Sequence, residues 1–304
     1  MSPMRGIALK LASVFLFTIM ASLIKAASDF VPAGEAVFFR SALAMPVIIA
    51  WLAMRGDLKT GLKAKRPLMH GWRGLIGVSA MGCNFAALGL LPLPEVTVLG
   101  YAAPMLTVLL AAVMLGERLR LFRMTAVLLG LAGVAVVMWP RLAFNDLSDA
   151  AFWGVVLILV SAVMRALAQI QIRRMVAVEE TSAIVFYFSL TATMFSLLTL
   201  PFGWSWPELP VLGMLVASGL IGGVAQIFLT SSYRFAGAAV LAPFEYASIL
   251  FAIIFGYMFF GEVPTVNVLA GAGIVIVAGI GIILRERQLG LKRGKARPNM
   301  TPQG

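Results

Sequence analysis

Ten stretches of roughly 20 mostly apolar residues follow one another along this chain, each divided from the next by a short polar or basic break. A helix rises about 1.5 Å per residue, so each stretch can cross the roughly 30 Å of hydrocarbon in a bilayer. The pattern predicts membrane helices near 7–27, 33–53, 74–91, 96–115 and 122–139, then near 151–172, 183–201, 211–231, 238–260 and 265–284. The fold class it defines is an all-α membrane protein with ten transmembrane helices.

The ten fall into two sets of five. The run LPLPEVTVLGYAAPMLTVLLAAVMLGE at 91–117 matches AGAAVLAPFEYASILFAIIFGYMFFGE at 236–262, placing Tyr101 on Tyr246, Gly116 on Gly261 and Glu117 on Glu262. Looser matches pair Gly6 with Gly154, Ser13 with Ser161 and Lys25 with Arg173. An internal repeat of this kind sets an architecture. Five crossings are an odd number, so the second set enters the membrane from the opposite face and the repeats are inverted. The expected domains are 6–139 and 151–285, followed by a basic disordered tail at 286–304.

Charge gives the orientation. Of the 24 Lys and Arg residues, 20 fall on one side by alternate loops: Arg5, Lys10, the group from Arg55 to Arg73, Arg118 to Arg123, Arg173, Arg174, Arg234 and six from Arg285 to Arg297. Basic loops stay on the cytoplasmic face, which predicts that both termini are cytoplasmic.

Composition agrees, with 61% hydrophobic and 12% charged residues and a mean hydropathy of +0.97. The net charge of +11 is spread through short loops, so it is a topology signal and not a nucleic-acid footprint. One cysteine, Cys83, excludes an internal disulfide and a cysteine metal site.

Several motifs carry a family resemblance: LGERL at 115–119, FGEVP at 260–264, EAVFFR at 35–40, HGWRG at 70–74 and APFEY at 242–246. With the inverted five-helix repeats, they make the chain similar to the EamA group of the drug/metabolite transporter superfamily over about residues 6–285. EAVFFR, HGWRG and LPLPEVT also resemble bacterial members associated with S-adenosylmethionine uptake. The resemblance implies a bacterial inner-membrane carrier of a small metabolite: an amino acid, an amino-acid derivative or a vitamin-like solute.

A charge at membrane depth is costly unless it is paired or faces water, so such residues are functional candidates. Arg40, Arg165 and Glu245 lie within spans, with Lys25 nearer an end where it can snorkel. Arg40 is level with Asp29 and Glu35, which leaves either a pairing that positions the outer loop or an anion site in the external vestibule. Glu245 and Arg165 are each seven residues from the inner end of their expected spans, about 10 Å deep. They form a fixed ion pair, or substrate or a proton competes for Glu245.

Tyr101 and Tyr246 occupy twin positions that a pseudo-two-fold axis brings towards a central cavity. Asn84 and Gln226, with Gln169, Gln171, Tyr187, Ser189 and Thr191, either join helices or contact solute. Gly116 and Gly261 are expected to let helices approach closely at opposite gates. His70 is expected in an interfacial loop. No HExxH, GxSxG or P-loop occurs, and no pair of carboxylates sits at membrane depth, so no catalytic residue, metal or cofactor is assigned.

The expected function is alternating-access transport of a small-molecule substrate by a monomer or homodimer in the bilayer, with a proton or counter-substrate as the coupling partner. The alternative is a lipid-handling or structural polytopic protein without solute transport.

Overall fold

The computed structural model describes residues 3–115, 121–142, 150–175, 178–236 and 238–295, and every regular element in them is helical. In chain order these are α1 (Pro3–Ala27), α2 (Ala33–Met54), the short α3 (Leu58–Gly61), α4 (Pro67–Leu90), α5 (Leu93–Gly100), α6 (Ala102–Leu115) and α7 (Leu121–Leu142). The second half holds α8 (Ala150–Met175), α9 (Thr181–Leu197), α10 (Leu209–Phe235), the one-turn α11 (Ala238–Leu241), α12 (Ala247–Phe260) and α13 (Val266–Lys295). Among the described residues eight segments are long and apolar enough to cross a membrane, and two shorter apolar helices, Met124–Pro140 and Ser182–Leu197, occupy the fifth and seventh expected spans.

The packing follows the inverted repeat. In the first half α1 lies against α10 and α12; in the second its counterpart α8 lies against α4 and α6. The pair α2 with α10 has its counterpart in α9 with α4, while α7 with α13 and α2 with α9 pair equivalent helices across the pseudo-axis. The core formed this way draws on both halves, from Ile24 and Leu88 to Ile158, Leu215 and Ile249. Large apolar residues also cover the exterior, including Trp139, Tyr257, Met258 and Phe259. That is the expected outside of a protein whose solvent is hydrocarbon.

The fourth and ninth spans are broken at twin positions. α5 ends at Gly100 and α6 begins at Ala102, while the 3-10 turn Ala242–Tyr246 separates α11 from α12. Proline explains the first break. Pro104 has no N–H to donate to the Gly100 carbonyl four residues back, and Arg165 Nη2 donates to that oxygen instead at 3.3 Å. Pro243 stands in the second break.

Two expectations change here. Gly261 adopts φ of +65° at the end of α12, with its own amide and that of Glu262 closing the last turn onto Tyr257 and Gly256. A Cβ there would meet nothing within 4 Å, so glycine serves backbone conformation and not close helix approach. Gly116, with most of the LGERL motif, lies outside the described residues. α13 runs to Lys295, ten residues past the expected end of the second repeat at 285, because the run RERQL is made of good helix formers.

At the end bearing the N-terminus, Glu179 ties the two halves together. Its carboxylate is fully buried and accepts the Lys65 amide at 3.0 Å and the Arg66 amide at 2.6 Å, and His70 Nε2 lies 3.4 Å away. His70 itself is buried against the Tyr187 ring and is not an interfacial loop residue. Burial opposes ionisation of Glu179, but the two amides and His70 outweigh it and hold the carboxyl below its ordinary 4.5. Its contribution to stability is therefore present above the unfolded-state value and is lost as pH falls through the lower folded-state value. Glu179→Gln should cost about 2–3 kcal/mol at neutral pH. The gap between the thermal midpoints of variant and wild type should close in a pH scan taken below 4.5. A gap that stays constant down the scan would show that the charge carries none of the contact.

Candidate functional site

The polar residues nearest the two helix breaks form one cluster. Tyr101, at the first break, reaches across to the second and donates its hydroxyl to the Glu245 carbonyl at 2.6 Å, with Ser248 Oγ at 2.8 Å. Its ring stacks on Tyr246 with centroids 4.8 Å apart. A Cβ at Gly279 of α13 would collide with the Tyr246 hydroxyl, so the bare glycine backbone is what admits this ring. The twin tyrosines thus meet at the centre and join the repeats.

The Glu245 side chain pairs with Lys10 of α1 at 2.5 Å. The pair is lopsided: the Lys10 side chain is 3% exposed and that of Glu245 42%. Lys10 also faces the Tyr233 ring at 5.6 Å. Both charges are seven residues into their segments, from Pro3 and Ala238, which puts them level at about 10 Å depth. The counting that placed Lys10 among the loop charges missed this, although Lys10 already lay inside the apolar stretch at 7–27.

Arg165 and Glu245 are not an ion pair. Arg165 sits on α8, which packs on α4 and α6, whereas the Glu245 segment packs on α1. Its Nη2 caps Gly100 as described, and its buried Nε has no hydrogen-bond partner among the described residues. Arg40 likewise pairs with neither Asp29 nor Glu35. Glu35 is buried and accepts the Ser205 amide at 3.2 Å, and Arg40 is buried with an unpartnered Nε. Asn84 and Gln226 are half-buried, and neither side chain makes a hydrogen bond among the described residues.

Lys25 does not snorkel. At the end opposite the N-terminus its Nζ lies 2.9 Å from Glu262 Oε1 and donates to the carbonyls of Leu88 and Leu91 at 3.1 and 2.7 Å. Glu262 Oε2 accepts the Leu93 amide at 2.8 Å. Pro92 between those groups has no N–H of its own, so the ion pair satisfies the turn that leads from α4 to α5. No group of three or more metal-ligating side chains occurs among the described residues.

Ten apolar spans in two inverted halves, broken helices at twin positions and charges gathered at the breaks define a membrane carrier. The chain belongs to the EamA-like transporter family, whose profile matches residues 4–139 and 152–285. It is a multi-pass membrane transporter of metabolites and not an enzyme. It is 32% identical over 281 residues to the pseudopaline exporter of Pseudomonas aeruginosa strain UCBPP-PA14, covering 91% of this chain and 95% of that protein. It is 27% identical over 255 residues to the S-adenosylmethionine uptake transporter of Rickettsia prowazekii strain Madrid E, with 84% of each covered. It is 25% identical to the riboflavin transporter of Rhizobium johnstonii, over 84% of this chain and 82% of that one. A solved crystal structure shares the fold, with a TM-score of 0.66 at 22% identity over 93% of this chain and 98% of the other.

Proposed function

We propose that this protein carries a small amino-acid-derived or vitamin-like solute by alternating access, with its central site at Lys10, Tyr101, Glu245 and Tyr246. Its bacterial relatives support a place in a bacterial inner membrane, and the basic residues of its loops support cytoplasmic termini. The observation that carries the site is the pair between Lys10 and Glu245 beside two broken helices. A buried ammonium and an open carboxylate at membrane depth present a charge that a solute or proton can reach. The pair between Lys25 and Glu262 closes the opposite end while Glu245 stays open, the arrangement of a carrier facing the cytoplasm. The pseudopaline, S-adenosylmethionine and riboflavin named for its relatives are polar metabolites, which supports the solute class.

Purified protein in liposomes should move amino-acid derivatives or riboflavin without flipping labelled lipid. Lipid flip without solute flux would replace this reading with a lipid-handling one.

A further inference from the structure

Two more arginines approach one another at membrane depth, with no acid paired to either among the described residues. Arg40 of α2 is 6% exposed, and Arg73 of α4 is half-buried with Nε and Nη1 fully enclosed. None of these buried atoms, nor Arg40 Nε, has a hydrogen-bond partner among the described residues, and among the same residues no carboxylate lies within ion-pair distance of either guanidinium. The two side chains converge on one level. Arg73 extends along its own helix so that Nη1 covers Gly77, and its guanidinium lies 4.2 Å from the Phe188 ring of α9. Arg40 Nε would be 3.6 Å from a Cβ at Gly222. Gly222 is the midpoint of α10, and Gly77 lies ten residues into the 24 of α4, so both heads reach the middle of the bundle. They are close enough for the charge of Arg40 to be felt at Arg73.

Two like charges drawn together with part of each guanidinium enclosed repel one another and have lost part of their water, an arrangement that costs free energy until an anion arrives. A structural ion pair would have supplied the anion from the protein, as Glu262 does for Lys25. Glycine at 77 lets Arg73 Nη1 lie against its own helix, glycine at 222 brings the α10 backbone beside Arg40 Nε, and a guanidinium presents parallel N–H donors that fit a carboxylate in bidentate fashion.

We infer that Arg40 and Arg73 form an anion subsite that takes the carboxylate of the transported solute. This rests on the transporter reading above and narrows its substrates to carboxylic acids.

The test is thermal-shift and titration calorimetry on the purified full chain in neutral detergent, with acids set against their decarboxylated forms: S-adenosylmethionine against decarboxylated S-adenosylmethionine, and L-histidine against histamine. The acid of at least one pair should bind about tenfold or more tightly than its partner, the share of one charge-assisted contact. Arg40→Met and Arg73→Met should each abolish that preference without lowering the midpoint of the ligand-free protein, and Arg73→Lys should retain part of it. Equal binding of acid and decarboxylated form, or of neither, overturns the subsite. So does a preference that survives both methionine variants, or a ligand-free protein that unfolds when either arginine is removed. Stabilisation by phosphatidylglycerol or inorganic phosphate that exceeds the acids would assign the pair to phosphate and overturn the carboxylate. The transporter reading fails separately, if the wild type moves no solute in liposomes.

Discussion

Glu245→Gln abolishes solute flux in liposomes and leaves a folded protein: this is the first outcome expected of the central pair. Its energetic signature is asymmetric because the pair is. Losing the carboxylate leaves the Lys10 ammonium enclosed with an amide oxygen and the Tyr233 ring for company, a cost of about 1–3 kcal/mol. Losing the ammonium in Lys10→Met leaves a carboxylate that is already partly in contact with solvent, a cost below about 1 kcal/mol. The double variant recovers the stability lost in Glu245→Gln, since no buried charge is left unpaired, yet stays inactive. A purely structural pair would behave otherwise: flux would track stability across the set, and the swap of Lys10→Glu with Glu245→Lys would restore it. Wild-type flux and wild-type pH dependence in Glu245→Gln end the functional claim.

The second large effect is at the opposite mouth. Glu262→Gln removes the counter-charge of Lys25 and leaves one amide oxygen where two carboxylate oxygens served Lys25 and the Leu93 amide, and breaking a buried pair costs about 3–5 kcal/mol. If roughly half of that is specific to the closed mouth, the open form gains about ten- to a hundredfold in population. Ser28 lines the cavity of about 220 Å³ between α1, α2 and α4 at this end, so a cysteine there reports on the change. In a Cys83→Ser background, an impermeant maleimide should label that cysteine at least tenfold faster in Glu262→Gln. Reversing both charges, with Lys25→Glu and Glu262→Lys, should slow the labelling again. Equal rates in wild type and variant would reduce the pair to a turn support.

Span positions and the repeat were legible because each depends on chain order, which hydrophobic runs report directly, and the family was legible because motifs such as LGERL and APFEY resemble it. Contacts depend on the angle around each helix as well as depth, and that angle is set by the partner. Arg165 and Glu245 were placed at one level, but α8 turns to α4 and α6 while the Glu245 segment turns to α1. Arg40 and Glu35 were also matched by depth. They are five residues apart on one helix, about 140° around its axis, and so face different neighbours. Lys10 and Arg73 were counted among loop charges because both sit in the first turns of their helices, where sequence alone does not separate a loop cation from one whose side chain runs inward. The twin tyrosines were legible as candidates because the repeat marks them without reference to angle.

The broken helices carry one more implication, in how long the empty carrier dwells on each side. Glu245 and Gly100 are equivalent in the repeat, yet the carbonyl of Glu245 is held by Tyr101, whereas that of Gly100 is held by Arg165 and not by Tyr246. Two identical inverted halves would give mirror-image end states of equal free energy and equal occupancy. Filling one of the two equivalent seats with an arginine lifts that degeneracy, and a difference of 1.4 kcal/mol is already tenfold in dwell time. The unladen protein therefore has a resting side written into its chain, and only a solute or gradient that favours the other side by more than this difference reverses it.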